Sequence, residues 1–182
     1  MEENKSLLMK STMSYGLLLG IFWVVKYAFF ILGVSMPSMQ IIYWILTPLT
    51  LLLAYIFTNT YKFLIGGKIG FFHAWQFGVL LYFFAALIVS LVHYVFYQYI
   101  ASPDFIASSM NQAIGLMKDL NLNTQMKDAI DKMGTPTPIQ MAIQGIFNNV
   151  FYGVILSIPV AALLCRNNST GLINNNQEGD EL

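Results

Sequence analysis

The chain has 182 residues, of which 57% are hydrophobic and only 10% are charged, and its mean hydropathy is +0.61. Soluble domains carry about 25% charged residues, so this composition is that of a membrane protein. The formal net charge of zero excludes nucleic acid as a partner, because nucleic-acid binding depends on clustered lysine and arginine.

Long stretches without Asp, Glu, Lys or Arg indicate membrane spans. They cover residues 27–61, 69–103 and 133–165, and each exceeds the roughly 20 residues that a helix needs to cross a bilayer. A further apolar segment near the N-terminus is interrupted only by Lys26. We therefore predict an all-α, polytopic membrane protein with a four-helix transmembrane domain over residues 1–166, its spans at about 14–34, 38–58, 74–100 and 138–165.

Flanking charges predict the orientation of the spans. Basic residues precede span one, separate spans two and three and follow span four, whereas the opposite side carries an uncharged turn and a segment in which aspartates outnumber lysines. By the positive-inside rule both termini are expected in the cytoplasm. Tyr61 and Trp75 lie near one predicted boundary and fit an aromatic belt there.

The segment between spans three and four, about residues 102–134, is predicted to form an amphipathic helical hairpin on the outer face. Ser102 in "SPDF" is a typical N-cap, and Thr137 with Gln140 in "TPIQ" form a capping box that begins span four. Apolar residues recur at helical spacing between these signals. The expected outer face consists of Ile106, Met110, Met117, Met126 and Met133. The polar tail, residues 167–182, is expected to be disordered.

Neither a metal site nor a cofactor is predicted. The methionines of the outer face lie at helical offsets, so a docking surface for lipid or a partner explains them without copper. The single cysteine, Cys165, excludes an intramolecular disulfide and a CxxC site, and His73 and His93 are far apart in sequence. The sequence contains no HExxH, GxSxG or Walker motif and no paired carboxylates, so we do not expect an enzyme.

The sequence resembles an uncharacterised family of bacterial four-helix membrane proteins, known only as a domain of unknown function. The resemblance runs from "MEENKSLL" and "YGLLLG" through "GGKIGFFHAWQFG" and "YVFYQYIASPDF" to the final span. It implies a protein of the bacterial inner membrane with a long outer loop, and it transfers no activity.

Small residues recur one turn apart in two spans and predict close helix packing, because inside lipid small side chains let helix backbones approach. They are Gly16 and Gly20 in span one, and Gly145, Asn149, Gly153, Ser157 and Ala161 at a spacing of four in span four. One interpretation is a seam between two copies of the chain. The favoured interpretation is packing within one four-helix bundle.

Each span also carries a polar side chain at a similar depth, counted from its outer end, near the middle of the hydrocarbon core. These candidates for an intramembrane polar layer are Lys26, Thr47, His93, Asn148 and Asn149. One reading is that Lys26 extends to an interface on its own while the others make interhelical hydrogen bonds. The alternatives are a water-filled or anion-binding cavity and a proton relay, although no Asp or Glu lies in any span.

The function that these features favour is a small accessory or scaffolding membrane protein. Its expected partners are membrane lipids and a protein in the membrane, a second copy of the chain included. The alternative is a small transporter, or a protein that binds a phosphate-type lipid headgroup through the polar layer.

Overall fold

The computed structural model of the chain describes residues 2–106, 108 and 136–177. Four long helices account for most of them: α1 (Glu2–Ser35), α2 (Pro37–Leu64), α3 (Phe71–Tyr99) and α4 (Pro138–Gln177). Each contains a segment long and apolar enough to cross a membrane, namely Lys5–Gly33, Ser38–Leu64, Phe71–Tyr99 and Pro138–Arg166. The predicted all-α fold with four membrane-spanning helices is confirmed.

All four helices extend beyond the predicted spans, α1 and α4 by the most. The apolar segment of α1 begins at Lys5, ahead of residue 14, because no proline or glycine interrupts the helix before Gly16. α4 continues to Gln177, into the segment expected to be disordered from residue 167, and no proline interrupts it there. Residues 178–182 of the predicted tail lie outside the described residues.

Specific residues set the connections between α1, α2 and α3. Pro37 occupies the first turn of α2, where its missing N–H costs no helical hydrogen bond. At the other end of α2, Gly66 and Gly67 adopt φ angles of +98° and +80°, which only glycine tolerates easily. The N–H of Gly67 donates to the carbonyl of Lys62 at 2.9 Å, and this bond caps α2.

The described residues fall into two compact units. The first comprises those within Met1–Val89 and Ile146–Leu182, and the second those within Ser90–Gly145. In the first unit, side chains of all four helices contribute to one buried core. Its fully buried large apolar members are Leu19, Tyr61, Phe77, Leu81, Tyr82 and Leu164.

The second unit contains the end of α3 and the beginning of α4. The rings of Phe96 and Phe105 pack edge to face, with centroids 5.2 Å apart. Ser102 accepts a hydrogen bond from the N–H of Phe105 at 3.2 Å, which confirms its predicted role as an N-cap. The predicted capping box is also confirmed, since the N–H of Thr137 donates to Gln140 at 2.9 Å and that of Gln140 to Thr137 at 3.4 Å.

Candidate functional site

α1 packs against α3 at the two glycines of "GLLLG". A Cβ atom added at Gly16 would lie 2.6 Å from Cβ of Phe84, and one added at Gly20 would lie 2.8 Å from Cβ of Ile88. Real Cβ atoms do not approach so closely, so only glycine allows this separation of the two backbones. These small residues therefore serve packing within the chain.

α4 packs against a neighbouring part of the α3 surface through small residues of its own. Gly153 lies against the side chain of Tyr82, and Ser157 lies against Gly78. The indole N–H of Trp75 donates to the carbonyl oxygen of Val154 at 3.0 Å, which adds a polar contact to the same helix pair. The first predicted small residue of α4, Gly145, belongs to the second unit, where a Cβ would lie 3.2 Å from Nδ1 of His93.

The end of α2 carries a buried polar cluster that the sequence analysis did not identify. The hydroxyl of Tyr61 and Nε2 of His73 are hydrogen bonded at 2.8 Å, and the Tyr61 ring stacks on Phe77 with centroids 4.4 Å apart. Tyr61 is fully buried, so its predicted place in an aromatic belt is wrong. The reason is that its ring completes the core between α2 and α3.

Lys62 is also buried in this cluster, with only 6% of its surface exposed. Its Nζ donates to the carbonyl oxygen of Leu164 at 3.1 Å and so joins α2 to α4. A lysine at the end of a span usually extends its charge toward the interface. Here the side chain points into the bundle instead. The position of Lys62 at the end of a span predicts an exposed charge and does not indicate this burial.

Lys26 lies nine residues before the end of α1 and is half-buried. Its Nζ lies 4.6 Å from the centroid of the Tyr43 ring on α2, a distance typical of a cation–π contact. The Tyr43 ring also packs on Phe30, with centroids 5.5 Å apart. The charge of Lys26 therefore has an aromatic partner within the chain.

The other members of the predicted polar layer occupy varied environments. Thr47 is half-buried and donates its hydroxyl proton to the carbonyl of Tyr43, one turn earlier on α2. His93 is half-buried in the second unit. Asn149 is half-buried on α4, whereas its neighbour Asn148 is exposed. The polar layer as a whole stays a prediction.

The predicted outer hairpin has only its beginning among the described residues. Residues 103–106 are helical, and Ile106 is half-buried. Residues 107 and 109–135 lie outside the described residues, and with them the four methionines of the predicted outer face. Among the described residues, no group of three or more His, Cys, Asp or Glu side chains forms a candidate metal site.

The outward surface of α4 is the face of this helix that does not pack against α3. The buried residues of α4 in the first unit are Gly153, Ser157, Val160, Ala161 and Leu164. Asn148 precedes Ser157 by nine residues, which at 3.6 residues per turn places the two side chains about 180° apart around the helix. Asn148 therefore points away from α3, among the exposed side chains of Phe151, Tyr152 and Ile155.

The depth of Asn148 makes this surface unusual. It lies ten residues from the start of the apolar segment Pro138–Arg166, or about 15 Å along the helix axis. The 29 residues of the segment extend over about 43 Å, so Asn148 lies about 6 Å from its centre and inside a hydrocarbon core about 30 Å thick that is centred on the segment. Asn148 has an interaction within its own chain, and lipid chains offer no further hydrogen-bonding group to its exposed side chain at this depth.

The model of one protein family, described as Protein of unknown function (DUF4199), matches residues 14–166. This range includes all of α2 and α3, most of α1 and α4, and every described contact between helices. No curated protein and no solved structure matches the chain.

Proposed function

Because the chain belongs to the DUF4199 family of proteins of unknown function, we propose from its geometry that it is an accessory or scaffolding subunit that binds another protein within the membrane. The surface that binds the partner is the outward face of α4, at Asn148, Phe151, Tyr152 and Ile155. The observation that carries this proposal is the exposed amide of Asn148 in the middle of a membrane-spanning helix.

A comparison with α1 and α2 supports this choice of surface. The exposed side chains of α1 between residues 17 and 32 and of α2 between residues 41 and 56 are hydrocarbon, aromatic or proline. These are ordinary lipid-facing surfaces. A polar side chain within a span is costly in lipid and usually faces protein or water, so Asn148 marks α4 as the helix that meets a partner.

The polar contacts inside the bundle support a structural role. Trp75 and Lys62 each donate to a carbonyl of α4, and Tyr61 bonds to His73. These bonds join helices of the same chain, so the polar groups that form them serve the packing of the bundle. Together with the lack of a known catalytic motif in the sequence, they favour a binding protein over an enzyme.

The proposed location is the inner membrane of a bacterium, with both termini in the cytoplasm. Lys5, Lys68 and Arg166 support this orientation, because all three are exposed and lie at the ends of spans or between them on one side. In this orientation the segment between α3 and α4 is exported.

Site-specific photocrosslinking in growing cells tests the proposed surface. A benzophenone amino acid is placed at Phe151 or, as a control, at Ile45 on α2, whose exposures of 64% and 65% are matched. We expect a discrete crosslinked protein band from position 151 and none from position 45. Bands of equal intensity at both positions, or no protein adduct at position 151, would contradict the proposal.

The alternative function, a transporter or a protein that binds a lipid headgroup, draws its support from Lys26. This lysine lies deep in a span, and the spans contain no carboxylate to neutralise it. The Tyr43 ring faces the ammonium at 4.6 Å, so the charge is stabilised without a bound anion. The scaffolding function is therefore the better supported of the two.

A further inference from the structure

Two buried hydroxyl groups near the middle of the bundle have no hydrogen-bond partner in the part of the chain that the structure describes. They belong to Thr50 on α2, which is 6% exposed, and to Tyr82 on α3, which is 1% exposed. Each residue lies within about 5 Å of the centre of its apolar segment, measured along the helix. Buried polar groups in proteins are almost always hydrogen bonded, and lipid chains offer no such bond at this depth.

The hydroxyl of Thr50 differs from those of two other threonines on the same face of α2. Thr47 and Thr58 each donate to the carbonyl oxygen one turn earlier, at 3.0 and 2.7 Å. This bond within the helix satisfies a threonine without help from a neighbouring helix. Thr50 lies between them and does not make it, so its hydroxyl is available to a bound molecule.

Tyr82 shows the same contrast with Tyr61. Both side chains are fully buried, but the hydroxyl of Tyr61 bonds to Nε2 of His73 at 2.8 Å, whereas that of Tyr82 has no partner among the described residues. Tyr82 contacts α1 through the ring of Trp23, with centroids 5.7 Å apart, and α4 through Gly153. Its hydroxyl therefore lies in the interior of the bundle, away from lipid.

The packing of α1 on α2 brings Thr50 to the same indole. α1 and α2 are antiparallel neighbours, with the rings of Phe30 and Tyr43 packed at a centroid distance of 5.5 Å. Thr50 follows Tyr43 by seven residues. Trp23 precedes Phe30 by the same number, so Trp23 lies level with Thr50. Since the ring of Trp23 also contacts that of Tyr82, both hydroxyls lie in the interior beside one buried side chain.

We propose that Thr50 and Tyr82 form an internal water-binding site, in which a water molecule lies between α2 and α3 beside Trp23 and hydrogen bonds to both hydroxyls. Water both donates and accepts, so it can satisfy two hydroxyls at once. The side chains one turn along from them, Ala54 and Ala86, are small and buried and offer no competing hydrogen bond. None of these side chains is charged, which favours a neutral molecule over an ion. This inference goes beyond the proposed function and does not depend on the partner of α4.

Radiolytic hydroxyl labelling of the purified full-length protein tests the site directly. X-ray pulses convert bound water to hydroxyl radicals, which oxidise the adjacent side chains even where bulk solvent has no access. Tyr61 is the matched control, because it is equally buried and its hydroxyl is bonded to His73. We expect Tyr82 to be oxidised several-fold faster than Tyr61. Equal rates for the two tyrosines would overturn the proposal.

A thermodynamic cycle tests whether the two hydroxyls share one molecule. Thr50→Val and Tyr82→Phe each remove a hydroxyl with little change of shape. We expect each single substitution to lower the midpoint of thermal unfolding, because it leaves the water and the remaining hydroxyl short of a partner. The double variant should lose less than the sum of the two single variants, since it removes the whole polar site.

The control cycle combines Thr50→Val with Tyr61→Phe, and here the losses should add because the hydroxyl of Tyr61 bonds to His73 instead. A rise of the midpoint in Thr50→Val or Tyr82→Phe would show that the hydroxyl is unpaired and that its removal relieves a cost, so the proposal would be wrong. Additive losses in the first cycle would show that the two hydroxyls share no molecule and would also overturn it.

Discussion

The ammonium of Lys62 lies 3.1 Å from the carbonyl oxygen of Leu164 and donates a hydrogen bond to it. The contact joins the last turn of α2 to α4 across 102 positions of sequence. Thr58 and Tyr61 on α2 and Leu164 on α4 are fully buried beside it. Lys62 is therefore part of the core, and its substitution is expected to affect the stability of the bundle.

We predict that Lys62→Glu lowers the stability of the purified protein by about 3–5 kcal/mol, since a carboxylate would face the carbonyl oxygen with no donor between them. Lys62→Met, which keeps the length of the side chain and removes the charge, should cost less. The measurement is thermal unfolding in detergent, followed by tryptophan fluorescence. Lys68→Glu, at an exposed position, is the matched control, and an equal loss from both would show that Lys62 has no special role.

The close contact of α1 with α3 predicts a strong response to added volume. Gly20→Val would place a branched side chain where Cβ alone lies 2.8 Å from Ile88, so the helices must separate. We expect a loss of about 1–3 kcal/mol, the usual cost of overpacking. Leu18→Val, two positions away on the exposed surface of α1, should change the midpoint of thermal unfolding little. Indifference to Gly20→Val would refute the packing described between these helices.

Lys26 and Tyr43 are expected to be energetically coupled. A double-mutant cycle with Lys26→Met and Tyr43→Leu should give a coupling free energy of about 0.5–2 kcal/mol, the range for cation–π contacts. The single Lys26→Met protein should insert normally, because it removes a charge from the span. Additive effects would show that the ring does not stabilise the ammonium.

The same Lys26→Met protein tests the alternative function. If Lys26 holds an anion, mass spectrometry of the purified wild-type protein should show a bound phospholipid or phosphate that the variant lacks. We expect the same lipid content in both proteins, because the Tyr43 ring already faces the charge. Loss of a stoichiometric anion from the variant would favour the alternative.

The orientation can be tested by cysteine labelling of cells whose outer membrane has been opened. In a Cys165→Ala background, cysteines at Asn4, Lys68 and Asn176 should resist a membrane-impermeant thiol reagent. A cysteine at Asn121, in the segment between α3 and α4, should react. Labelling of position 68 from outside would reverse the predicted topology.

The spans are predictable from the sequence because a helix needs about 20 apolar residues to cross a bilayer, and stretches of that length are visible in the sequence. Capping at Ser102 and Thr137 is equally local, and hydrogen bonds confirm both. The spacing of Gly16 and Gly20 indicates close helix packing, but it does not show whether the partner helix is α3 or belongs to another chain. That choice depends on contacts between helices far apart in sequence.

The candidate site was less predictable for the same reason. The depth of a residue along a span can be counted from the sequence, and this count identified Lys26 and Asn148. The direction in which a side chain points around its helix depends on where the neighbouring helices pack. The counting places both residues near mid-membrane, whereas only the structure distinguishes a lysine facing Tyr43 from an amide facing outward. Burial of Lys62 left no sequence signal, since a lysine at a span end ordinarily marks the interface.

The position of α3 between α1 and α4 has a consequence for how the protein is made. Gly16 and Gly20 leave the ribosome before Phe84 and Ile88 have been synthesised, and at about 5–20 residues per second the delay amounts to several seconds. During that time α1 and α2 can form only a hairpin with each other, held by contacts such as the stacking of Tyr15 on Phe57. The glycine surface of α1 stays without its α3 partner until α3 has been inserted, so the packing of α1 on α3 is a late step in the assembly of the bundle.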